Sequence, residues 1–427
     1  MHTEQSRYVN ARLIDGTGAA PVEDAVLAVA DDGTIRYAGP AGNAPAAAPG
    51  ETSVDLGGRT LLPGFFDCHV HFGLGSGGGP TAVLMSRPST LLFESARLMR
   101  ETLHAGITTA RDLGGIDAGC REAVARGLIE GPRLQVAIRV VGHTGGHADF
   151  TLPSGLRLFE EQTALVDTPD EARLQTRKLL RDGADVIKVC ATGGMSSPTD
   201  QPEDEGLTEE EIRTVVEEAA RNRGCPVAAH AQGTTGIHHA IRGGVASVEH
   251  GYGLDAGGRD LMLEHGTVLV PTLSTGLRMP ARGTVPEYQW QKKARWTAAI
   301  EENIAAAIAA DVPVALGTDS GVCPHGANLR ELGHLVGLGM RPMDALLAGT
   351  RNAARLLGLE DRLGTLEPGK LADFVVTATD PLTDIASLAT PDTIVLVAQS
   401  GEIRKNTLPS AAPAPAPARL GSRSPLA

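Results

Sequence analysis

The sequence predicts an α/β protein in which a (β/α)8 (TIM) barrel is joined to a small β-sandwich domain built from both chain ends. Residues 8–60 are short alternating segments broken by Asp-Gly turns, which is typical of a small antiparallel sheet. From residue 61, stretches with apolar residues at i, i+3 and i+4 alternate with short segments rich in Val, Ile and Ala, as in repeated strand–helix units. Residues 364–376 return to short strands, which we expect to complete the first sheet.

Two helices of the barrel are marked at both ends. Residues 168–171 and 208–211 are capping boxes, and the helices that they open end at Gly183 and Gly224. Each helix leads into a strand, and the chain offers eight strands in all, the number that a closed barrel needs. The predicted strands are 63–71, 107–112, 133–141, 184–190, 226–230, 246–250, 267–273 and 312–318.

These patterns divide the chain into three parts. Residues 1–60 and 365–408 are predicted to form the β-sandwich domain, residues 61–364 the barrel, and residues 409–427 a Pro/Ala-rich tail. Because the tail offers almost nothing to bury, we expect it to be disordered. Exposed barrel helices often pair with a second copy of the chain, so a homo-oligomer is expected.

Composition argues against several classes of partner. The 427 residues carry a formal net charge of -13, and the basic patch that nucleic acids and anionic membranes require is missing from the sequence. No apolar run has the length of a membrane span, and the first residues lack the apolar core of a signal peptide, so a cytoplasmic location is expected. The five cysteines occur singly, which argues against a structural zinc site or a disulfide framework.

The segment 61–71 ends in two histidines, His69 and His71, after an apolar run that is typical of a buried strand. Side chains alternate along a strand, so both imidazoles point to the same side. Two neutral imidazoles on one face are half of a transition-metal site, and imidazole suits zinc. A pair of core histidines has the same spacing, so the rest of the chain must decide between these interpretations.

Other strands carry ionisable residues near their carboxyl ends, where barrel enzymes assemble their chemistry. These residues are Lys188, His230, His250 and Asp319. A strand-end histidine is more often a satisfied polar residue than a ligand, and Asp319 could simply start a turn. Lys188 is different because it lies inside an apolar strand, where an ammonium without a partner is costly. Addition of CO2 to its amine would give a carbamate, an anion whose two oxygens can bridge two metal ions.

With these residues in this order, the chain resembles the metal-dependent amidohydrolase superfamily, which contains urease and dihydroorotase. The resemblance extends from residue 8 to near residue 405. The segments that carry it most closely are 61–69, 245–251 and 363–373. Within the superfamily, residues 143–147 and 186–194 are similar to a branch that contains Xaa-Pro dipeptidases, ochratoxin amidases and imidazolonepropionase-like enzymes.

The resemblance implies a cofactor of two divalent metal ions, with zinc as the expected metal. The implied ligands are His69, His71 and Asp319 for one ion, His230 and His250 for the other, and carboxylated Lys188 as the bridge. A metal-activated hydroxide would attack the amide carbon, and Asp319 would act as the catalytic general base.

The implied reaction is hydrolysis of a C–N amide bond in a small-molecule substrate. The substrate would be a dipeptide of the Xaa-Pro type or an N-acyl or N-aroyl amino acid like ochratoxin. The alternative is a hydrolase of cyclic amides, carbamates or ureas, like imidazolonepropionase. A deaminase fits less well, because deaminases of this fold bind one metal and lack the bridging lysine. A non-catalytic scaffold would have lost ligands that this chain keeps.

Substrate contacts are expected from residues just beyond the strands. The candidates are His143, His147, Gln232 and Tyr252. Similar dipeptidases usually carry a tyrosine where this chain has Gln232, which argues against strict dipeptide specificity. The loop 195–207 could be a lid or a solvated acidic loop. The segment 73–78 matches G-x-G-x-x-G, but no helix pattern opens there, so we interpret it as a flexible loop rather than a dinucleotide site.

Overall fold

The computed structural model describes residues 5–75, 83–152, 154–222 and 224–408. The tail 409–427 and residues 76–78 of the glycine-rich segment lie outside the described residues, so the disorder and flexibility expected there stay predictions. None of the described helices combines the length and the apolar composition that crossing a bilayer would require.

The strands and helices have the following bounds along the chain. The strands are β1 (Ser6–Leu13), β2 (Val22–Val29), β3 (Ile35–Pro40), β4 (Thr52–Asp55), β5 (Thr60–Pro63), β6 (Phe65–Val70), β7 (Ile107–Asp112), β8 (Arg133–Val136), β9 (Val140–Gly142), β10 (Thr163–Leu165), β11 (Ile187–Cys190), β12 (Val227–Ala231), β13 (Ser247–His250), β14 (Val268–Val270), β15 (Phe374–Thr377), β16 (Ile394–Gln399) and β17 (Glu402–Asn406). The α-helices are α1 (Pro88–His104), α2 (Ala118–Ala125), α3 (Pro169–Arg181), α4 (Glu209–Arg221), α5 (Thr234–Arg242), α6 (Ala256–His265), α7 (Leu273–Gly276), α8 (Glu287–Ala309), α9 (Arg330–Gly337), α10 (Pro342–Ala348) and α11 (Arg351–Leu356).

Strands from both chain ends meet in one eight-stranded sheet with the order β17-β16-β15-β5-β1-β2-β3, in which β4 also pairs with β1. The antiparallel pair of β15 and β5 joins the two ends, with Leu62 opposite Val375. This sheet has a core of its own, where the rings of Tyr8 and Phe374 meet edge-on with centroids 4.7 Å apart. Because β6 starts directly after β5, the sheet leads straight into the first strand of the barrel.

The barrel strands are all parallel and form two arcs. One arc is β6-β7-β8, and the other has the order β10-β9-β11-β12-β13-β14. The segment after α8 closes the ring between β14 and β6, since Ala315 N donates to Leu269 O at 3.0 Å and Cys68 N donates to Leu316 O at 2.8 Å. The carboxyl ends of the strands therefore open at one end of the barrel, where barrel enzymes carry their sites.

Two of the predicted strands are interrupted. The prediction of one strand over 133–141 is wrong, because Ile138 has a φ of 69° that cannot continue a strand. The two halves consequently pair differently, β8 with β7 and β9 with β11. The segment 312–318 forms bridges to both neighbours but no continuous ladder. Pro313 has no N–H to donate, and Asp319, with a φ of 59°, turns the chain at the end of the segment.

The two predicted capping boxes differ in the structure. At the start of α4 the motif is complete, since Thr208 and Glu211 each bind the other's backbone N–H. At the start of α3 the Thr168 side chain accepts from Glu171 N, but the Glu171 carboxylate accepts from Asp167 N instead of closing the box. Both helices nevertheless begin at these caps and lead into β11 and β12.

Candidate active site

The carboxyl ends of the barrel strands surround a cavity that is open to solvent. All six side chains that the sequence suggests as metal ligands line this cavity. They are His69, His71, Lys188, His230, His250 and Asp319. Apart from His71, each of them is less than a tenth exposed to solvent. The barrel closure thus brings together residues that lie far apart in the chain.

The polar atoms of this cluster face one another. His69 Nε2 lies 3.3 Å from His71 Nε2, and Asp319 Oδ1 lies 3.3 Å from His71 Nε2 and 3.6 Å from His69 Nε2. His69, His250 and Asp319 each offer a donor atom within 4.8 Å of the others. The His230 ring lies beside the His250 ring, with centroids 4.6 Å apart. Imidazole nitrogens and a carboxylate that converge in this way suit a divalent metal ion.

Outer hydrogen bonds orient the imidazoles. Three rings use Nδ1 for this purpose, which leaves Nε2 directed at the cluster. The contacts are His69 with Glu249 Oε2 (2.8 Å), His71 with the Gly114 carbonyl (2.7 Å) and His250 with Thr272 Oγ1 (2.7 Å). His230 is reversed, because its Nε2 lies 3.0 Å from the carbonyl of Gly193. Each ring therefore has a defined orientation.

A buried ion pair supports His69 from inside the barrel. Arg111 Nη2 donates to Glu249 Oε1 at 2.9 Å, and Arg111 Nε donates to the Cys68 carbonyl at 2.6 Å. Neither charged side chain is exposed to solvent. A carboxylate on Nδ1 fixes the tautomer of a metal-binding histidine, so Glu249 contributes to the site through His69. Sequence reasoning missed this role, although a carboxylate inside the apolar strand β13 was a signal that could have found it.

The Lys188 side chain is 3% exposed, and its Nζ has no hydrogen-bond partner within the described part of the chain. Burial lowers the pKa of Lys188, which favours the neutral amine. Burial also lowers the pKa of His69, His230 and His250 well below the usual range, and the Lys188 charge acts in the same direction. Neutral imidazole is the form that binds metals, and a neutral amine is the form that adds to CO2.

Three residues near the same strand ends have a strained backbone. His250 (φ 72°), Thr272 (φ 50°) and Asp319 (φ 59°) all have left-handed φ values. Such conformations cost about 1–3 kcal/mol for residues other than glycine, so they persist only where the surroundings hold them. Here the His250–Thr272 hydrogen bond and the bond from Asp319 N to the His69 carbonyl (2.8 Å) do so. This strain is typical of functional sites.

Of the two histidines in the loop after β9, His147 lines the cavity and His143 does not. The His147 ring stacks on the His230 ring with centroids 4.3 Å apart, and His147 Nδ1 lies 3.1 Å from Asp200 Oδ2. His143 turns back on its own loop, where Nδ1 lies 2.8 Å from the Thr144 carbonyl. His143 therefore lies outside the cavity lining, and its contact with substrate stays a prediction.

Gln232 and Tyr252 both line the cavity. Gln232 is 5% exposed, and its Oε1 has no hydrogen-bond partner among the residues that the structure describes. The Tyr252 hydroxyl lies 3.1 Å from Thr272 Oγ1, the atom that also orients His250. Gln232 thus has a buried amide oxygen without a partner among the described residues, whereas the Tyr252 hydroxyl contacts the threonine that orients His250.

The loop 195–207 contributes its first two residues to the cavity wall. Lys292, on α8, is 6% exposed and holds this loop through its ammonium group. Its Nζ donates to the carbonyls of Gly194 (3.1 Å), Ser197 (2.7 Å) and Asp200. The acidic residues 203–205 are exposed, as expected for a solvated acidic loop. The earlier part of the loop is instead anchored to helix α8 through Lys292.

An aromatic pair forms another part of the cavity wall. Phe150 and Phe159, in the connection between β9 and β10, meet edge-to-face with ring centroids 5.2 Å apart, and both line the cavity. Leu74 and Met195 add apolar surface to the same cavity. The sequence contains only 3% aromatic residues, so a pair of them at this place is a distinctive feature that sequence reasoning missed.

Comparison with known proteins agrees with this geometry. The model of the amidohydrolase family matches residues 60–404. The chain belongs to the amidohydrolase family. Ochratoxinase of Aspergillus niger is 33% identical over 414 residues, which cover 92% of this chain and 85% of that enzyme. Imidazolonepropionase of Rhizorhabdus wittichii is 31% identical over 413 residues, which cover 86% of this chain and 92% of that enzyme.

Solved amidohydrolase structures share the architecture. The crystal structure of a Xaa-Pro dipeptidase with methionine bound in its active site has a TM-score of 0.86 at 31% identity, covering 94% of this chain and 99% of that chain. The crystal structure of A. niger ochratoxinase has a TM-score of 0.84 at 30% identity, covering 95% and 96% of the two chains. These likenesses confirm the predicted barrel with an additional domain. Since amidohydrolases depend on metals, the protein is a metal-dependent hydrolase of small molecules, and its His/Asp cluster fits a metal ion.

Proposed function

We propose that this amidohydrolase binds two divalent metal ions and hydrolyses the C–N amide bond of N-acyl or N-aroyl amino acids or of dipeptides. The observation that carries the proposal is the Lys188 amine, which is buried in a cluster of histidines and has no hydrogen-bond partner among the residues that the structure describes. A buried ammonium at this place would be costly and would repel a metal ion. The same side chain as a carbamate would attract one.

The carbamate forms when Lys188 Nζ adds to CO2, which makes one N–C bond and releases one proton. The resulting anion would offer two oxygens as ligands to divalent cations. The other donors are imidazoles and a carboxylate, a set that suits zinc. The proposed ligands are His69, His71 and Asp319 for one ion, His230 and His250 for the second, and the Lys188 carbamate for both.

The chain's own side chains then divide the remaining work. When bound, the two ions would polarise the substrate carbonyl and lower the pKa of a shared water. Asp319 takes the proton of the attacking water and later delivers it to the leaving nitrogen. His147, whose Nδ1 is held by Asp200, presents its other nitrogen to the substrate oxygen as charge develops there.

Two relatives support an amino acid as part of the substrate. Ochratoxinase shares 33% identity with this chain, and the Xaa-Pro dipeptidase of similar structure holds a methionine in its active site. The apolar wall with Phe150 and Phe159 is large enough to receive an aryl or alkyl group beside the scissile amide. We therefore place N-aroyl amino acids ahead of dipeptides.

The second candidate is hydrolysis of a cyclic amide. The specific observation in its favour is the likeness to imidazolonepropionase, which covers 86% of this chain at 31% identity. Gln232 also favours it, because a neutral amide is suited to a neutral ring. This candidate uses the same ligands and the same base.

The test combines metal analysis with a substrate screen. We expect the purified protein to contain about two divalent ions per chain, as a site with two metals requires. N-benzoyl amino acids, dipeptides and lactams, including imidazolone propionate, would then be compared by kcat/KM. Hydrolysis of lactams alone would replace the first candidate with the second, and a single metal ion with full activity would contradict the dinuclear site.

A further inference from the structure

Helix α8 contributes to the cavity wall and carries two adjacent lysines with different surroundings. Lys292 contacts the loop 195–207 and the glycine before it. Its three N–H groups donate to three backbone carbonyls. Lys293 lines the cavity, as does Gln289 one helical turn earlier. Of these two adjacent lysines, Lys292 therefore contacts the loop and Lys293 lines the cavity.

The Lys293 ammonium keeps one N–H without a backbone acceptor. Its Nζ donates to the Thr275 carbonyl at 2.6 Å and to the Arg278 carbonyl at 2.8 Å, and an ammonium has three donors. Within the part of the chain that the structure describes, no carboxylate lies close enough to Nζ to form an ion pair. Burial lowers the pKa of Lys293 to about 8, although the Asp319 charge acts in the opposite direction. A counter-charge is therefore missing from this end of the cavity.

The other described residues of the cavity lining offer no further lysine or arginine outside the proposed metal cluster. Phe150 and Phe159 give part of the lining an apolar, aromatic character. Of the other charged side chains in the lining, Lys188 and Asp319 belong to the proposed metal cluster. Gln232 offers an amide but no charge. Lys293 is thus the cation that remains for a ligand among the described lining residues.

We propose that Lys293 binds a carboxylate of the substrate and selects anionic amides over neutral ones. The proposal rests on the amidohydrolase function above and narrows it to substrates whose carboxylate reaches Lys293. The carboxylate belongs either to the α-position of the leaving amino acid or to its side chain. A carboxylate at this place supplies the counter-charge and the third acceptor that Lys293 lacks.

The experiment compares matched substrates that differ in one charge. N-benzoyl-phenylalanine and its carboxamide test the α-carboxylate, and N-benzoyl-glutamate and N-benzoyl-glutamine test the side-chain carboxylate. We expect the wild-type enzyme to prefer the acid of one pair by about 10–100-fold in kcat/KM, the size of a hydrogen bond between charged groups. Lys293→Met should abolish this preference by raising KM for the acid, and Lys293→Arg should retain most of it.

Arg278→Met is the matched control, because it removes an exposed cation close to Lys293 that does not line the cavity. Equal losses in Lys293→Met for acid and neutral substrates would show a purely structural role and overturn the proposal. Equal losses of preference in Arg278→Met and Lys293→Met would show only a diffuse positive potential, which would also overturn it.

The pH dependence of KM in the wild-type enzyme tests the proposal without any variant. The ratio of the KM values for the acid and its carboxamide should rise above pH 8, where Lys293 loses its proton. Asp319, Arg278 and Cys323 also face Lys293, but their effects on the metal cluster and on kcat act on both substrates and cancel in the ratio. A ratio that stays flat from pH 6 to about pH 10 would overturn the proposal.

A binding measurement can test the carboxylate site even if the proposed hydrolytic function is wrong. If the enzyme hydrolyses neither member of a pair, the proposed function fails, and calorimetric titration with the same compounds measures the preference directly. Tighter binding of the acid by the wild-type protein, lost in Lys293→Met, would still support the carboxylate site. Equal binding of acid and carboxamide by the wild-type protein would overturn it.

Discussion

The cluster at the strand ends and the wall of the cavity are built in contrasting ways. In the cluster, each of His69, His230 and His250 sits on a barrel strand, and its ring is held by an outer hydrogen bond. In the wall, side chains such as Lys293 and Phe159 come from helix α8 and from the connections between strands.

This difference suggests that the strands carry the residues for catalysis and that the loops determine which substrate binds. Strands that are bonded on both sides can hold metal donors with little freedom, as a metal site requires. Loops tolerate change more readily than strands, so they can alter which molecule fits without moving the donors. We therefore expect substitutions in the cluster to remove metal and activity together, and substitutions in the wall to change substrate affinity while the metal stays bound.

Lys188→Ala should have the largest effect. Without the bridging anion, the metal content should fall well below that of the wild type, and kcat/KM should fall by at least about 100-fold, the upper range for lost support of a metal. Metal analysis and kinetics check this, and added acetate or propionate should restore part of the activity. Lys178→Ala, on the outer helix α3, is the control. Full activity of Lys188→Ala without an added acid would disprove the carbamate bridge.

Glu249→Gln tests whether the buried ion pair beneath the cluster positions His69. Losing one partner of a buried pair costs about 3–5 kcal/mol of stability, because Arg111 keeps an uncompensated charge. The loss of the carboxylate on His69 should also weaken metal affinity by about 10–100-fold. Urea unfolding and metal titration measure the two effects separately.

The Arg177–Glu218 pair between two outer helices provides a control for Glu249→Gln. Glu218→Gln should have a much smaller effect on stability and none on metal affinity, because Arg177 is solvated. A Glu249→Gln protein that is less stable but binds metal as tightly as the wild type would show that His69 does not depend on this carboxylate.

Lys292→Met should have the smallest of the three effects and should leave the metal bound. The substitution removes charged hydrogen bonds to the loop 195–207, each contributing about 1.5–3 kcal/mol. Hydrogen exchange of this loop should speed up by roughly tenfold or more, and KM should rise. Lys370→Met, in the sheet domain, is the control. Unchanged exchange in Lys292→Met would mean that other contacts hold the loop.

Much of the barrel and of the candidate cluster could be predicted because both depend on short-range patterns. The alternation of side chains along a strand placed His69 and His71 on one face, and the strand ends placed His230 and His250. The break at Ile138 could not be predicted, since a β-branched residue normally favours a continuous strand and only its surroundings impose a positive φ.

Loop residues were predicted less well for a related reason. His143 and His147 have the same chemistry and lie four residues apart, yet only His147 reaches the cavity. Their difference depends on a turn and on Asp200, which lies in another connection of the barrel. No local pattern records such a contact.

The sequence by itself determined the strand–helix order of the barrel and the set of candidate metal donors, because strand period and motif spacing act within a few residues. The tertiary structure alone decided that Lys188 Nζ has no hydrogen-bond partner among the described residues, that Glu249 and Arg111 support His69, and that Lys293 rather than Lys292 faces the cavity. These features depend on contacts between distant segments, because the energy of a buried charge depends on the groups that folding brings around it.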